Sequence, residues 1–269
     1  KTKFNFKIKK GFIVVNKENF KKVRNFNCFF GGHPLPDENG IKAADYLTKY
    51  LKSLGKDDLI ILMLSGGGSA MLPHPPNPIS LDEKTSVSKM LLSCGADIKE
   101  INTVRKHLSL LKGGKFLEYS YPARTSSLII SDVVGDDLSS ISSGLTVKNR
   151  TTFNDAVDIC KKYKIWNELP ENILKYLTNA ITNSKKPKKN KMDNDVFKYC
   201  KNEIIASNSI SLNQIQTFIK KEISIFNCKI WKKNIEGNVK EVAFKLVEHA
   251  SKYSSKRPLI FLSGGETTV

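Results

Sequence analysis

The chain has 269 residues, 40% hydrophobic and 26% charged, enough to bury a sizeable core in one large or two smaller domains. No apolar run approaches the roughly 20 residues that a membrane-spanning helix needs, and no secretory h-region is read at the start. The formal charge of +18 raises nucleic acid as a partner, but Arg, the better base reader, supplies five of the 44 basic residues and Lys the other 39, scattered along the chain, so a solvated surface is expected.

The five cysteines (Cys28, Cys94, Cys160, Cys200, Cys228) are odd in number and form no CxxC pair. They read as reduced and mostly buried, Cys94 in the core, in a cytoplasmic setting. The chain starts at Lys1 rather than Met and stops within an element, so it reads as a piece of a longer one.

In chain order, strands are expected at Phe12–Val15 and Cys28–Phe30. Gly31-Gly32-His33-Pro34 then makes a rigid bend that holds His33. Asp37 caps a helix whose Ile41, Ala44, Leu47 and Leu51 repeat at helical spacing up to Gly55. Leu59–Leu64 is six uninterrupted apolar residues, expected as a strand buried on both faces. Ser65-Gly66-Gly67-Gly68-Ser69 follows, and the missing Cβ atoms let backbone N–H groups approach an anion; a tight turn is the equal alternative. Ser80 to Glu83 is a capping box, and a further helix is expected over 97–111, closed by Lys112-Gly113-Gly114.

Thr125–Ser131 is a second buried-strand candidate, ending in Asp132, Asp136 and Asp137. Three carboxylates in six residues suit a cation, or make an ordinary acidic turn. A small-residue loop (Ser142-Ser143-Gly144) and a helix capped by Thr151 or Thr152 come next, then a helix over 170–181 and the basic tract Lys185–Lys191. Strand and helix patterns alternate again, ending in Ser263-Gly264-Gly265-Glu266. The expectation is a larger α/β domain over 1–183, a basic linker over 184–202 and a second α/β domain over 203–269, with largely parallel sheets and a cleft between them.

Five stretches, Gly31–Gly40, Leu64–Pro73, Glu100–Lys115, Ser131–Gly144 and Leu262–Val269, together resemble the glycerate 2-kinase family, whose members are also labelled hydroxypyruvate reductases. The resemblance implies ATP- and Mg²⁺-dependent phosphorylation of D-glycerate at its 2-hydroxyl by a cytoplasmic enzyme of small-molecule substrates, with no nucleic-acid or membrane partner, and leaves a homodimer open. On it, Ser65, Gly66, Gly67, Gly68 and Ser69 bind phosphate or substrate, as do His33, Gly264, Gly265 and Glu266. Asp132, Asp136 and Asp137 hold Mg²⁺ or take the hydroxyl proton, and Arg105 and Lys112 meet the glycerate carboxylate or transition-state charge. His33 has a structural alternative, and His74 and His249 read as surface or packing residues.

The family's upstream lysine-bearing segment and its segment after Gly-Gly-Glu-Thr-Thr lie outside this sequence, and Leu145–Arg150 departs from the usual proline-rich loop. Two alternatives stay open: an NAD(P)H-dependent hydroxypyruvate reductase, although neither glycine loop has G-x-G-x-x-G spacing, and a non-catalytic nucleotide-binding paralogue.

Overall fold

A computed structural model describes residues 8–184 and 196–268. The architecture is α/β. Strands β1 (Gly11–Val15) and β2 (Phe26–Phe30) pair in parallel, as do β6 (Asn227–Ile235) and β7 (Leu259–Gly265). Between them in sequence, β3 (Leu59–Leu64), β4 (Arg124–Ile130) and β5 (Cys200–Ala206) form a three-stranded sheet in that order.

The helices start where side chains satisfy their first N–H groups. Asp37 caps α1 (Glu38–Leu51) by accepting from the Gly40 amide. Reciprocal capping boxes open α3 (Leu81–Ser93) at Ser80 and Glu83, α4 (Ile98–His107) at Asp97 and Glu100, and α6 (Phe153–Lys162) at Thr152 and Asp155. The short α2 (Gly68–Met71) and α5 (Lys115–Ser120) each follow a glycine in the left-handed region, Gly67 and Gly114. The remaining helices are α7 (Glu171–Ser184), α8 (Asn208–Glu222) and α9 (Val239–Ser251).

By its contacts the chain divides into two units, 1–128 with 138–203 and 129–137 with 204–269. The first has two cores. Val87, Leu91, Ile101, Val104, Ile173 and Leu177 close one, between α3, α4, α6 and α7. The other packs α1 and α5 against alternate residues of β3, namely Ile60, Leu62 and Leu64. In the second unit α8 packs on β6 and β7, and Trp231, His249, Tyr253 and Phe261 form an aromatic cluster, so His249 is a packing residue. The tract Lys185–Lys191, expected as a linker, lies outside the described residues.

Three expectations need correction. β3 is not buried on both faces: Leu59, Ile61 and Met63 are 61%, 58% and 77% exposed, because the core of α1 and α5 covers only the other side. The helix expected over 97–111 stops at His107, because the Ser109 hydroxyl accepts from the amides of Leu111 and Lys112 at 3.3 Å each and so competes with the helical pattern. Cys94 is exposed rather than core, since it caps the end of α3 away from the apolar stripe. All five cysteines are free thiols, two of them buried.

Candidate active site

The glycine loop leaves β3 at Leu64 and enters α2 through Gly67, whose φ of 79° suits a residue without Cβ. A Cβ on Gly67 would lie 3.0 Å from His33 Cδ2, so the His33 ring stands beside the loop. A Cβ on Gly68 would lie 2.5 Å from Ser142 Oγ. That close approach is used: Ser142 Oγ donates to the Ser65 carbonyl at 3.2 Å, and the hydroxyls of Ser69 and Ser143 share a hydrogen bond of 2.8 Å.

Ser142 and Ser143 hold φ of 49° and 55°, a left-handed pair that non-glycine residues adopt at a cost and that clusters at functional sites. A second loop supports the pair, with the Gly113 and Gly114 amides donating to the Ser143 and Gly144 carbonyls at 3.1 and 2.8 Å. From that loop the Lys112 Nζ donates to the Ser69 carbonyl at 2.6 Å. Two segments far apart in sequence therefore clamp one loop.

Around the clamp the first unit carries an unusual density of sequestered cations. Lys112 is 1% exposed and Lys84 6%, and Arg105 is half-buried with its Nε donating to Ser88 Oγ at 3.2 Å. Burial, reinforced by Arg105 and Lys115, pushes Lys84 down to about 7; burial with Lys84 and Arg105 pushes Lys112 well below the usual lysine range. Lys115 is lowered to about 8 by burial and donates to the Lys106 carbonyl at 3.1 Å and to the Ser109 carbonyl.

Beside them His107 is lowered to about 4, mainly by burial. Its Nε2 lies 3.1 Å from Thr151 Oγ1 and 3.2 Å from Asn149 Nδ2, and the Thr151 hydroxyl donates to Asn149 Oδ1. His74 pairs with Asp45 at 3.4 Å and is mostly buried, a packing residue.

The first unit thus brings together Ser65 to Ser69, His33 and Lys112, with Arg105 in the neighbouring cation cluster. Asp132, Asp136 and Asp137 belong to the second unit, where Asp136 takes φ of 57° after Gly135 at 79°. Among the described residues no group of three His, Cys, Asp or Glu side chains could hold a metal ion. The acidic turn is therefore no self-sufficient metal cage.

Gly264, Gly265 and Glu266 are also in the second unit and are tied to its own backbone. The Asn208 side chain lies where a Cβ of Gly264 would be, and the Glu266 amide donates to the Ile235 carbonyl at 2.9 Å. Two surface hollows of about 420 and 380 Å³ lie against α8, and none of the expected site residues lines them.

Lys84 and Asn149 did not stand out in sequence reasoning. The signal for Lys84 is its spacing: with Leu81, Val87 and Leu91 it falls on the buried stripe of α3, where a lysine is out of place. Asn149 carries no comparable sequence signal.

A glycine loop clamped at a strand end, in an α/β chain with parallel strand pairs, defines the class of protein. Residues 2–178 match the family described as a domain of unknown function (DUF4147), and the chain belongs to that family, the glycerate kinase family. It is 35% identical over 264 residues to the glycerate 2-kinase of Pyrococcus horikoshii, covering 96% of this chain and 58% of that protein. It is 37% identical over 265 residues to an Agrobacterium vitis protein provisionally named a hydroxypyruvate reductase, covering 96% and 57%. The crystal structure of a glycerate kinase from Thermotoga maritima matches at 31% identity with a TM-score of 0.80, over 97% of this chain and 61% of that one. The chain spans less than two thirds of the length of these relatives.

Proposed function

We propose that the complete protein is a glycerate 2-kinase, moving the γ-phosphoryl group of ATP to the 2-hydroxyl of D-glycerate to give 2-phosphoglycerate and ADP. The observation that carries this reading is the clamp: Lys112, Ser142 and Ser143, from two of the five family-like stretches, hold the glycine loop of a third. Phosphoryl transfer asks mostly for positioning and charge stabilisation, and a rigid loop flanked by cations supplies both.

In this reading the backbone amides of Gly66 to Ser69 bind phosphate oxygens. Lys112 orients them through the Ser69 carbonyl, and Arg105 offers its outer guanidinium nitrogens as a fork for a carboxylate. His33 bounds the loop on its Gly67 side. Asp132, Asp136 and Asp137 are assigned to holding Mg²⁺ or taking the hydroxyl proton, and Gly264 to Glu266 to a second anion-facing loop. When bound, Mg²⁺ neutralises charge on the β- and γ-phosphate oxygens.

Asp136→Asn tests the acidic loop without disturbing its backbone, because Asn tolerates the left-handed region as well as Asp does. Turnover is expected to fall by orders of magnitude with the melting temperature unchanged; near-normal turnover places the metal carboxylate elsewhere. The reaction itself is tested by ADP release from the complete protein with Mg²⁺, ATP and D-glycerate, followed by identification of the phosphoglycerate isomer. No ADP release, with NADH consumed on adding hydroxypyruvate, replaces the kinase by a reductase.

A further inference from the structure

The stretch Leu145–Arg150 is where the sequence departs from the family's usual loop, and Asn149 within it stands beside both ends of the segment that joins α4 to Gly113. At one end its Nδ2 lies 3.2 Å from Nε2 of His107, the last residue of α4. At the other its backbone N–H donates to the Gly113 carbonyl at 3.3 Å, and its Cβ lies 2.9 Å from where a Cβ of Gly113 would be. A side chain at 113 is excluded twice, by Asn149 and by the left-handed φ of 66° that Gly113 holds.

The Asn149 side chain is itself fixed. Its Oδ1 accepts from the Thr151 amide at 3.2 Å and from the Thr151 hydroxyl at 2.9 Å. Thr151 Oγ1 also lies 3.1 Å from His107 Nε2, so three side chains close a ring of polar contacts. The buried His107 ring packs on Phe153 with centroids 4.5 Å apart, which holds it against the start of α6. Asparagine carries an acceptor and a donor on one short planar head, and both face a partner here.

The segment so bridged is the one that reaches the glycine loop. Between His107 and Gly113 the chain has left the helix and turns on the Ser109 hydroxyl. Lys112 then meets the Ser69 carbonyl through a flexible four-carbon stem, a contact that persists only where its backbone is held. Gly113 and Gly114 pass the same support to Ser143 and Gly144.

We infer that Asn149 is a positioning residue for the clamp: by bridging His107 and Gly113 it fixes the Lys112 segment to the end of α4 and so keeps Lys112 and Ser143 on the glycine loop. Its effect on turnover rests on the kinase reading, and its effect on the loop does not.

The test uses the complete protein as wild type, Asn149→Ala, Thr151→Val and the double variant. Amide hydrogen exchange is followed by mass spectrometry over residues 65–71 and 108–114, with α1 as the reference for global opening. In Asn149→Ala both stretches are expected to exchange about tenfold faster while α1 is unchanged. The kcat/KM for ADP release, measured well below the melting temperature, is expected to fall about tenfold, and the double variant no further, because both substitutions cut one chain of contacts. A residue that only supported the fold would lower the melting temperature and leave kcat/KM where it was. If Asn149→Ala does not fold, Thr151→Val decides, since it keeps the shape of Thr151 and removes the hydroxyl that holds Asn149 Oδ1.

Faster exchange confined to 149–151, or unchanged exchange over 65–71 and 108–114 in the folded variants, overturns the inference. So does an unchanged kcat/KM in an active enzyme. If the wild type releases no ADP, the kinase reading falls and the exchange measurement alone decides.

Discussion

Gly68 is the residue at which the loop is most sensitive to added bulk. A methyl group there would meet Ser142 Oγ at 2.5 Å and turn that hydroxyl away from the Ser65 carbonyl. Gly68→Ala should cost about 1 kcal/mol, the worth of one hydrogen bond, and cut kcat/KM by tenfold or more; thermal melts and steady-state kinetics read the two effects separately. On β4 the hydroxyls of Thr125 and Ser127 are buried without partners. Thr125→Val removes such a group at nearly constant shape and should stabilise the fold by about 1 kcal/mol, measured by denaturant titration. His33 shows how far residue types carry: its doubled glycines and proline promised a held histidine, and only the packed chain placed its ring beside Gly67.

Among the elements, helix starts were the most legible features, because a cap is a local contract between a side chain and amides two or three residues away. Asp37, Ser80 and Thr152 each cap the helix expected of them. Thr152→Ala breaks the capping box of α6, which packs on α4 and α7 around Ala156, Val157 and Cys160. It should cost about 1 kcal/mol, seen as a lower denaturation midpoint at unchanged slope. Helix ends were less legible. Ser109 stops α4 through a hydroxyl bonded to the amides of Leu111 and Lys112, a choice that periodicity does not register. β3 was misjudged for a related reason: an apolar run records that a strand can be covered on both faces, and the neighbours decide which face is.

At the scale of the whole molecule, the sequestered cations set a pH dependence. Lys84 falls from 10.5 to about 7 and Lys115 to about 8 on folding, so above those values the unfolded chain binds more protons than the folded one. Stability should therefore rise from about pH 7 to 9, the reverse of a lysine held by a carboxylate, and Lys84→Met should flatten the rise. His107 adds an acid limb: lowered from 6.5 to about 4, it contributes stability that is complete above pH 6.5 and lost as pH falls toward 4. A series of thermal melts across pH 4 to 9 checks both limbs. Among the described residues no helix is long and apolar enough to cross a membrane.

Sequence alone determined the α/β alternation, the capped helix starts, the glycine loop after β3 and the family, because each is written in neighbouring residues or in unbroken motifs. Tertiary structure decided that Ser142, Ser143 and Lys112 close on that loop from more than 40 residues away, and that Lys84 and Lys112 are buried. Such contacts depend on which backbone groups come within hydrogen-bonding distance and which charges leave water together. Both are properties of the packed chain, and no local spacing encodes them.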